Sequence, residues 1–399
     1  MISIYTLTSE LHDEKAVDAT TRQYLQGLGL EYRFCGGDFT DYGTDSLSLI
    51  YVRTGGTEGI FLRLLPTLLK QTPTSPFYLL ASDTANSLAA SMEILSYLRS
   101  QGLEGEILHG TDVCVACRAK QLAQAGEARQ ALKGMRLGII GQPSDWLIAS
   151  TAYPDMVRNI LGIELVDIPI EEVTETTKKL PLHESCEHTE REEIRRALPR
   201  AEQIYHALHK ILEDHCLQGF TLRCFDLLSS LQNSGCLALA RLNAEGYVAT
   251  CEGDVPAMLS MAVARAACGT SGFQANPARI DTETGEILFA HCTIPLNMVE
   301  RYELDTHFES GIGVGIRGYM QPGPVTIFKL SGDLQRSFMA EGEILCSQAA
   351  PNLCRTQLLI RLAQREDASY FLTNPIGNHH IILPGLCADL LREVLKMTP

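Results

Sequence analysis

Short apolar runs alternate with helical stretches, punctuated by glycine, through the first 130 residues. This feature restricts the fold more than any other. Ile2–Leu7 is an apolar run, Glu14–Leu28 has helical spacing and stops at Gly29, and Leu47–Val52 is a second run. Thr54-Gly55-Gly56-Thr57-Glu58-Gly59 leads into helical spacing over 60–69. The run Phe77–Ala81, a helix over Ser87–Ser100 and a strand over 106–108 follow. Strand, glycine turn, helix and strand in succession describe a parallel α/β unit.

The pattern restarts near residue 133. Lys133-Gly134-Met135 opens onto the apolar run Arg136–Ile140, then helical spacing over 157–161 and a strand over Glu164–Ile168. Residues 178–211 are charged and read as largely helical; His206 and His209 on that stretch are incidental to a solvated face, because no carboxylates converge on them. From about 275 the texture changes. Segments 286–291, 311–316, 324–330 and 355–362 are short and separated by Gly, Pro or Asp, which favours antiparallel strands. Helical spacing returns over 386–397. The expected organisation is an α/β domain over 1–132, a second over 133–270, and a β-rich antiparallel domain over 271–399.

Charge narrows the function. The 399 residues carry 33 Lys+Arg against 48 Asp+Glu, a formal net charge of −15. Nucleic acid and anionic membrane would gain nothing from such a surface. No apolar run reaches the roughly 18–20 residues that span a bilayer, and the N-terminus reads as a strand, without the basic region of an export signal. Thirteen scattered cysteines then read as reduced thiols in a cytoplasmic protein. Cys114-Val-Ala-Cys117 has metal spacing but no second ligand pair to complete a zinc site.

Four places carry chemistry. The Gly55-Gly56-Thr57 turn suits a hydroxyl or anion at a helix N-terminus, although it matches no nucleotide motif. The stretch Gly246-Tyr-Val-Ala-Thr-Cys-Glu252-Gly253-Asp254-Val255-Pro256 delivers two carboxylates. If both are extended they share one face, roughly 7 Å apart. Asp254 also reads as the N-cap of a helix opened by Val255-Pro256. Downstream, Phe289-Ala290-His291-Cys292 and Gly377-Asn378-His379-His380 each place histidine beside an apolar run. Carboxylates and histidines at strand ends make an oxygen and nitrogen donor set suited to Mn²⁺ or a similar cation.

In chain order, Arg223-Cys-Phe-Asp226, Cys236-Leu-Ala-Leu-Ala, Cys251-Glu252-Gly253-Asp254, Phe273-Gln-Ala-Asn276, Asp281, Phe289-Ala-His291-Cys292 and Gly377-Asn-His379-His380 form a recognisable series. It resembles the L-fucose isomerase / L-arabinose isomerase superfamily, especially its shorter fucose-isomerase-like members, over about residues 220–385. The resemblance implies two Rossmann-like α/β domains and a β-rich C-terminal domain in a cytoplasmic homo-oligomer, a trimer or hexamer. It implies a Mn²⁺-dependent ketol isomerase acting on a small-molecule sugar through a cis-enediol. Glu252 matches a catalytic carboxylate and metal ligand, His379 or His380 the C-terminal histidine ligand, and His291 a further ligand. Arg223, Asp254 and the Gly55-Gly56-Thr57 turn are expected on the substrate.

One position departs from the pattern. The resemblance calls for a second acidic ligand and catalytic group at position 276, which holds Asn276. An amide oxygen still coordinates a cation but adds no charge and takes no proton near neutral pH. Two readings stand: an aldose–ketose isomerase weakened at position 276, or a relative that binds a sugar or sugar derivative without isomerising it.

Overall fold

The computed structural model describes residues 1–73, 76–182, 185 and 187–397. Residues 1–130, with the C-terminal segment from Leu390, form one compact unit, and residues 131–389 form another.

The first unit is built on five parallel strands: β1 (Ile2–Leu7), β2 (Tyr32–Gly36), β3 (Leu47–Val52), β4 (Phe77–Ala81) and β5 (Gly105–Leu108), in the order β2-β1-β3-β4-β5. The residues of β1 and β4 are buried throughout, as expected of parallel strands covered by helices on both faces. Tyr5, Phe39, Tyr42, Phe61 and Phe77 pack into an aromatic core on one face.

The second unit begins with four parallel strands: β6 (Arg136–Ile140), β7 (Glu164–Ile168), β8 (Gly219–Leu222) and β9 (Val248–Cys251), ordered β7-β6-β8-β9. Next come β10 (Phe273–Asp281), β11 (Glu286–His291), β12 (Arg301–Asp305), β13 (Gly315–Tyr319), β14 (Gly323–Leu330), β15 (Ser337–Ser347), β16 (Thr356–Leu362) and β17 (His380–Pro384). Strands β12 and β13 form a separate pair. The other six close into an antiparallel barrel in the order β10-β11-β16-β15-β14-β17. Phe273, Ala275, Phe289, Ile327, Ile360 and Ile382 belong to its core.

The expected change from parallel α/β to antiparallel β matches the observed sheets. Local limits shift: the strand expected over 311–316 starts at Gly315, and the charged stretch from 178 to 211 contains the end of one helix, Ile170–Lys179, and most of another, Glu192–Asp214. Positions 183, 184 and 186 on that stretch lie outside the described residues. The helix Val255–Cys268 positions the site. Its first ten residues are all buried, and it packs on β9, β14 and β17. It therefore holds the end of the parallel sheet against the barrel strand that opens with His380.

Candidate metal centre and active site

Strand β9 stops at Cys251 because the next two residues take left-handed backbone, Glu252 at φ +67° and Gly253 at φ +72°. For glutamate this conformation costs about 1–2 kcal/mol. Surrounding contacts hold it in place. Ser144 N–H donates to the Glu252 carbonyl at 3.0 Å, and Gly253 N–H donates to the Leu222 carbonyl at 3.0 Å. Glycine is needed at 253, since a Cβ there would lie 2.7 Å from the Gln142 carbonyl oxygen and from Pro143 Cα. Asp254 then caps the helix, its Oδ1 accepting from Ala257 N–H at 2.8 Å.

This turn rules out the extended alternative, in which Glu252 and Asp254 would share one face, and matches the reading of Asp254 as an N-cap. The two carboxylates instead bracket the imidazole of His379. Asp254 Oδ2 accepts from His379 Nδ1 at 2.8 Å, and Glu252 Oε1 stands 3.4 Å from His379 Nε2. The same Oε1 lies 3.7 Å from His291 Nε2, while His291 Nδ1 shares a hydrogen bond of 2.9 Å with the Thr293 hydroxyl. Ligand atoms of Glu252, His291 and His379 all fall within 4.8 Å of one another.

Electrostatics follow from burial and pairing. Burial raises the Glu252 carboxyl, but the two imidazoles outweigh it and hold the group well below the ordinary carboxylate range. Burial lowers His379, but Glu252 and Asp254 overcome this and raise it to about 9. Burial keeps His291 below its ordinary value. Asp254 is raised by burial and lowered further by Lys329 and His379, to about 2. Lys329 is itself buried, with Nζ 3.5 Å from Asp254 Oδ2.

The donor set fits a divalent cation. His379 Nε2 is buried and makes no hydrogen bond, although its other nitrogen is satisfied. Asp254 holds the Nδ1–H of His379, so the Nε2 lone pair becomes free for a metal once Nε2 gives up its proton.

The other expected residues divide. The β10–β17 register pairs Ala275 with His380, so Asn276 stands one step along from that pair, and its Oδ1 is buried without a partner. His380 does not join the cluster. Successive strand residues point to opposite faces, and His380 enters an aromatic nest of Phe289, Phe338, Tyr370 and Phe371. Its Nδ1–H donates to the Asn378 carbonyl and its Nε2 accepts from the Tyr370 hydroxyl, both at 3.1 Å; burial pushes it down to about 3. The Arg223 guanidinium is taken by protein. It donates to the Pro143 carbonyl at 2.6 Å and to Asp145 and Asp226 at 3.2 Å each, tying down the loop that precedes Trp146. Gly55, Gly56 and Thr57 belong to the first unit, where Gly55 N–H donates to the Ala85 carbonyl and the Thr57 hydroxyl to the Thr54 carbonyl.

Sequence reasoning missed Trp146, His307 and Lys329. Trp146 Nε1–H donates to Glu252 Oε2 at 2.7 Å. Phe225 packs edge-on between Trp146 at 4.8 Å and His307 at 5.4 Å. Lys329 completes the charge on Asp254. A lone tryptophan on a polar loop after a parallel strand was a usable signal for the first; no local pattern marks His307 or Lys329.

Residues 144–268 match the L-arabinose isomerase central domain, a stretch that holds Trp146, Arg223, Glu252 and Asp254 and ends before His291. Over 262 residues the chain is 24% identical to the sulfoquinovose isomerases of Priestia aryabhattai and Priestia megaterium. The alignment takes in 62% of this chain and 59% of each relative. The chain thus covers about three-fifths of the length of these curated relatives, and neither they nor the domain match names fucose isomerase. Together the matches support a relationship to the sugar isomerases allied to L-arabinose isomerase.

Proposed function

We propose that this chain is an aldose–ketose isomerase that moves a carbonyl between adjacent carbons of a sugar or sugar derivative. In this reading Glu252, His291 and His379 hold a divalent cation such as Mn²⁺. The carrying observation is the approach of two imidazole nitrogens to one carboxylate oxygen, with His379 Nε2 buried and unbonded. A cation held there would supply Lewis-acid chemistry, making the proton on the carbon beside the sugar carbonyl more acidic.

The chain's own groups do the rest. Asp254 and Thr293 orient the two imidazoles, and Lys329 keeps Asp254 charged. Trp146 Nε1–H fixes Glu252 Oε2, the carboxylate oxygen assigned to carry the proton from one carbon to its neighbour. Asn276, where a second carboxylate is expected, offers its amide oxygen as a neutral ligand or as an acceptor for a substrate hydroxyl. It leaves the protein slow on common sugars. Asn276 also favours the second reading, a binding protein that no longer isomerises. Self-assembly into a trimer or hexamer and a cytoplasmic location belong to the same proposal.

Loading the purified protein with Mn²⁺ and screening aldoses and ketoses tests the proposal. Metal-dependent interconversion that disappears in Glu252→Gln supports the isomerase. Sugar binding without turnover supports the second reading.

A further inference from the structure

Three guanidinium groups meet one carboxylate at the end of β12. Asp305 accepts from Arg191 Nη1 at 2.6 Å on Oδ1; on Oδ2, Arg317 Nη2 lies at 2.9 Å and Arg355 Nε at 3.5 Å. Glu193 answers Arg191 at 2.9 Å on the exposed side. Arg317 and Arg355, both 15% exposed, are left sharing Asp305. Among the described residues neither has another carboxylate within 4 Å. Arg317 Nη1 is buried with no hydrogen-bond partner. Surplus buried positive charge is costly unless an anion completes it, and here it survives in a chain with a net charge of −15.

The cluster adjoins the metal-ligand residues. Arg355 immediately precedes β16, whose first residue, Thr356, pairs with His291. Arg355 also donates to the Thr306 carbonyl at 2.8 Å and hydroxyl at 2.9 Å, which fixes the segment carrying His307. His307 continues through Phe225 and Trp146 to Glu252.

We propose that Arg355, backed by Arg317 and flanked by His307, is the subsite for an anionic group on the substrate. That group is a sulfonate or phosphate at the end of the sugar remote from the carbons that exchange the proton. The inference rests on the isomerase reading. Thr306 engages Nε and Nη2 of Arg355, which leaves the Nη1 edge of the guanidinium for a tetrahedral oxyanion, and such charge-assisted bonds are strong enough to set specificity.

Calorimetric titration of the Mn²⁺-loaded protein with three unreactive six-carbon polyols tests it: glucitol, glucitol 6-phosphate and 6-deoxy-6-sulfoglucitol. At least one anionic polyol is expected to bind about 10–100-fold more tightly than glucitol, and the tighter of the two names the anion. Arg355→Met is expected to remove that gain while leaving glucitol affinity within about twofold, and Arg355→Lys to retain part of it. Arg317→Met serves as a second probe should Arg355→Met fold poorly. Equal affinity for all three polyols, or a gain that survives both methionine variants, overturns the subsite. If the Arg355-dependent gain persists but Mn²⁺ alters the binding of no polyol, the subsite stands and the isomerase reading falls.

Discussion

His379 Nδ1 and Asp254 Oδ2 meet at 2.8 Å across 125 positions of sequence, and both residues are fully buried. The bond decides which imidazole nitrogen carries the proton and leaves Nε2 directed at Glu252. The same carboxylate caps a helix and balances Lys329. Asp254→Asn is therefore expected to weaken Mn²⁺ affinity about 10–100-fold, the usual effect of losing a group that orients a metal ligand. Denaturant unfolding of that variant should show a loss of about 3 kcal/mol, because Lys329 is left buried without its counter-charge. Unchanged metal affinity would detach Asp254 from the metal centre.

Metal binding is expected to release a proton. In the metal-free protein Glu252 and Asp254 outweigh burial and raise His379 to about 9, so at neutral pH it is an imidazolium that a cation must deprotonate. Its folded pKa lies above the unfolded value of about 6.5. The stability it contributes is full below about 6.5 and lost as pH rises through about 9. Apparent Mn²⁺ affinity should climb over the same window. Titrations in buffers of different ionisation enthalpy measure the protons released; none released at pH 7 would contradict the assigned charge.

Gly253→Ala tests the turn that aims Glu252. A Cβ at that position meets backbone 2.7 Å away, and the residue sits at φ +72°. The expected cost is about 1–3 kcal/mol, with weakened Mn²⁺ binding even though no ligand is changed. Gly29→Ala, also left-handed but with nothing near the added methyl, is the control and should leave metal affinity intact. Equal effects of the two substitutions on metal binding would show that the turn does not aim the ligand.

Asn276→Asp adds a charge next to the cluster. If the natural amide has weakened an isomerase site, the variant should bind Mn²⁺ more tightly and turn over sugars about 10²-fold or more faster. If it gains neither, and the unaltered protein is already rapid, position 276 was never the missing carboxylate.

Much of this architecture was legible in sequence, for identifiable reasons. Strands buried on both faces, such as β1, β3 and β4, read as continuous apolar runs. Strand β2 did not, because its Arg33 and Phe34 face solvent at the sheet edge. Glu252, His291 and His379 were visible as chemistry beside apolar runs, but their meeting depends on a left-handed glutamate that no propensity rule places. Separating His379 from His380 needed the strand's alternation. Trp146, His307 and Lys329 reach the cluster only through tertiary packing, which local spacing does not encode.

The most direct test is equilibrium Mn²⁺ titration of the full chain and Glu252→Gln, with free Mn²⁺ read by electron paramagnetic resonance. About one ion per chain is expected for the natural protein, with affinity reduced about 100-fold or more in the variant as a charged ligand becomes an amide. No bound Mn²⁺ in the natural protein, or equal binding in both, would contradict a metal centre built on Glu252, His291 and His379.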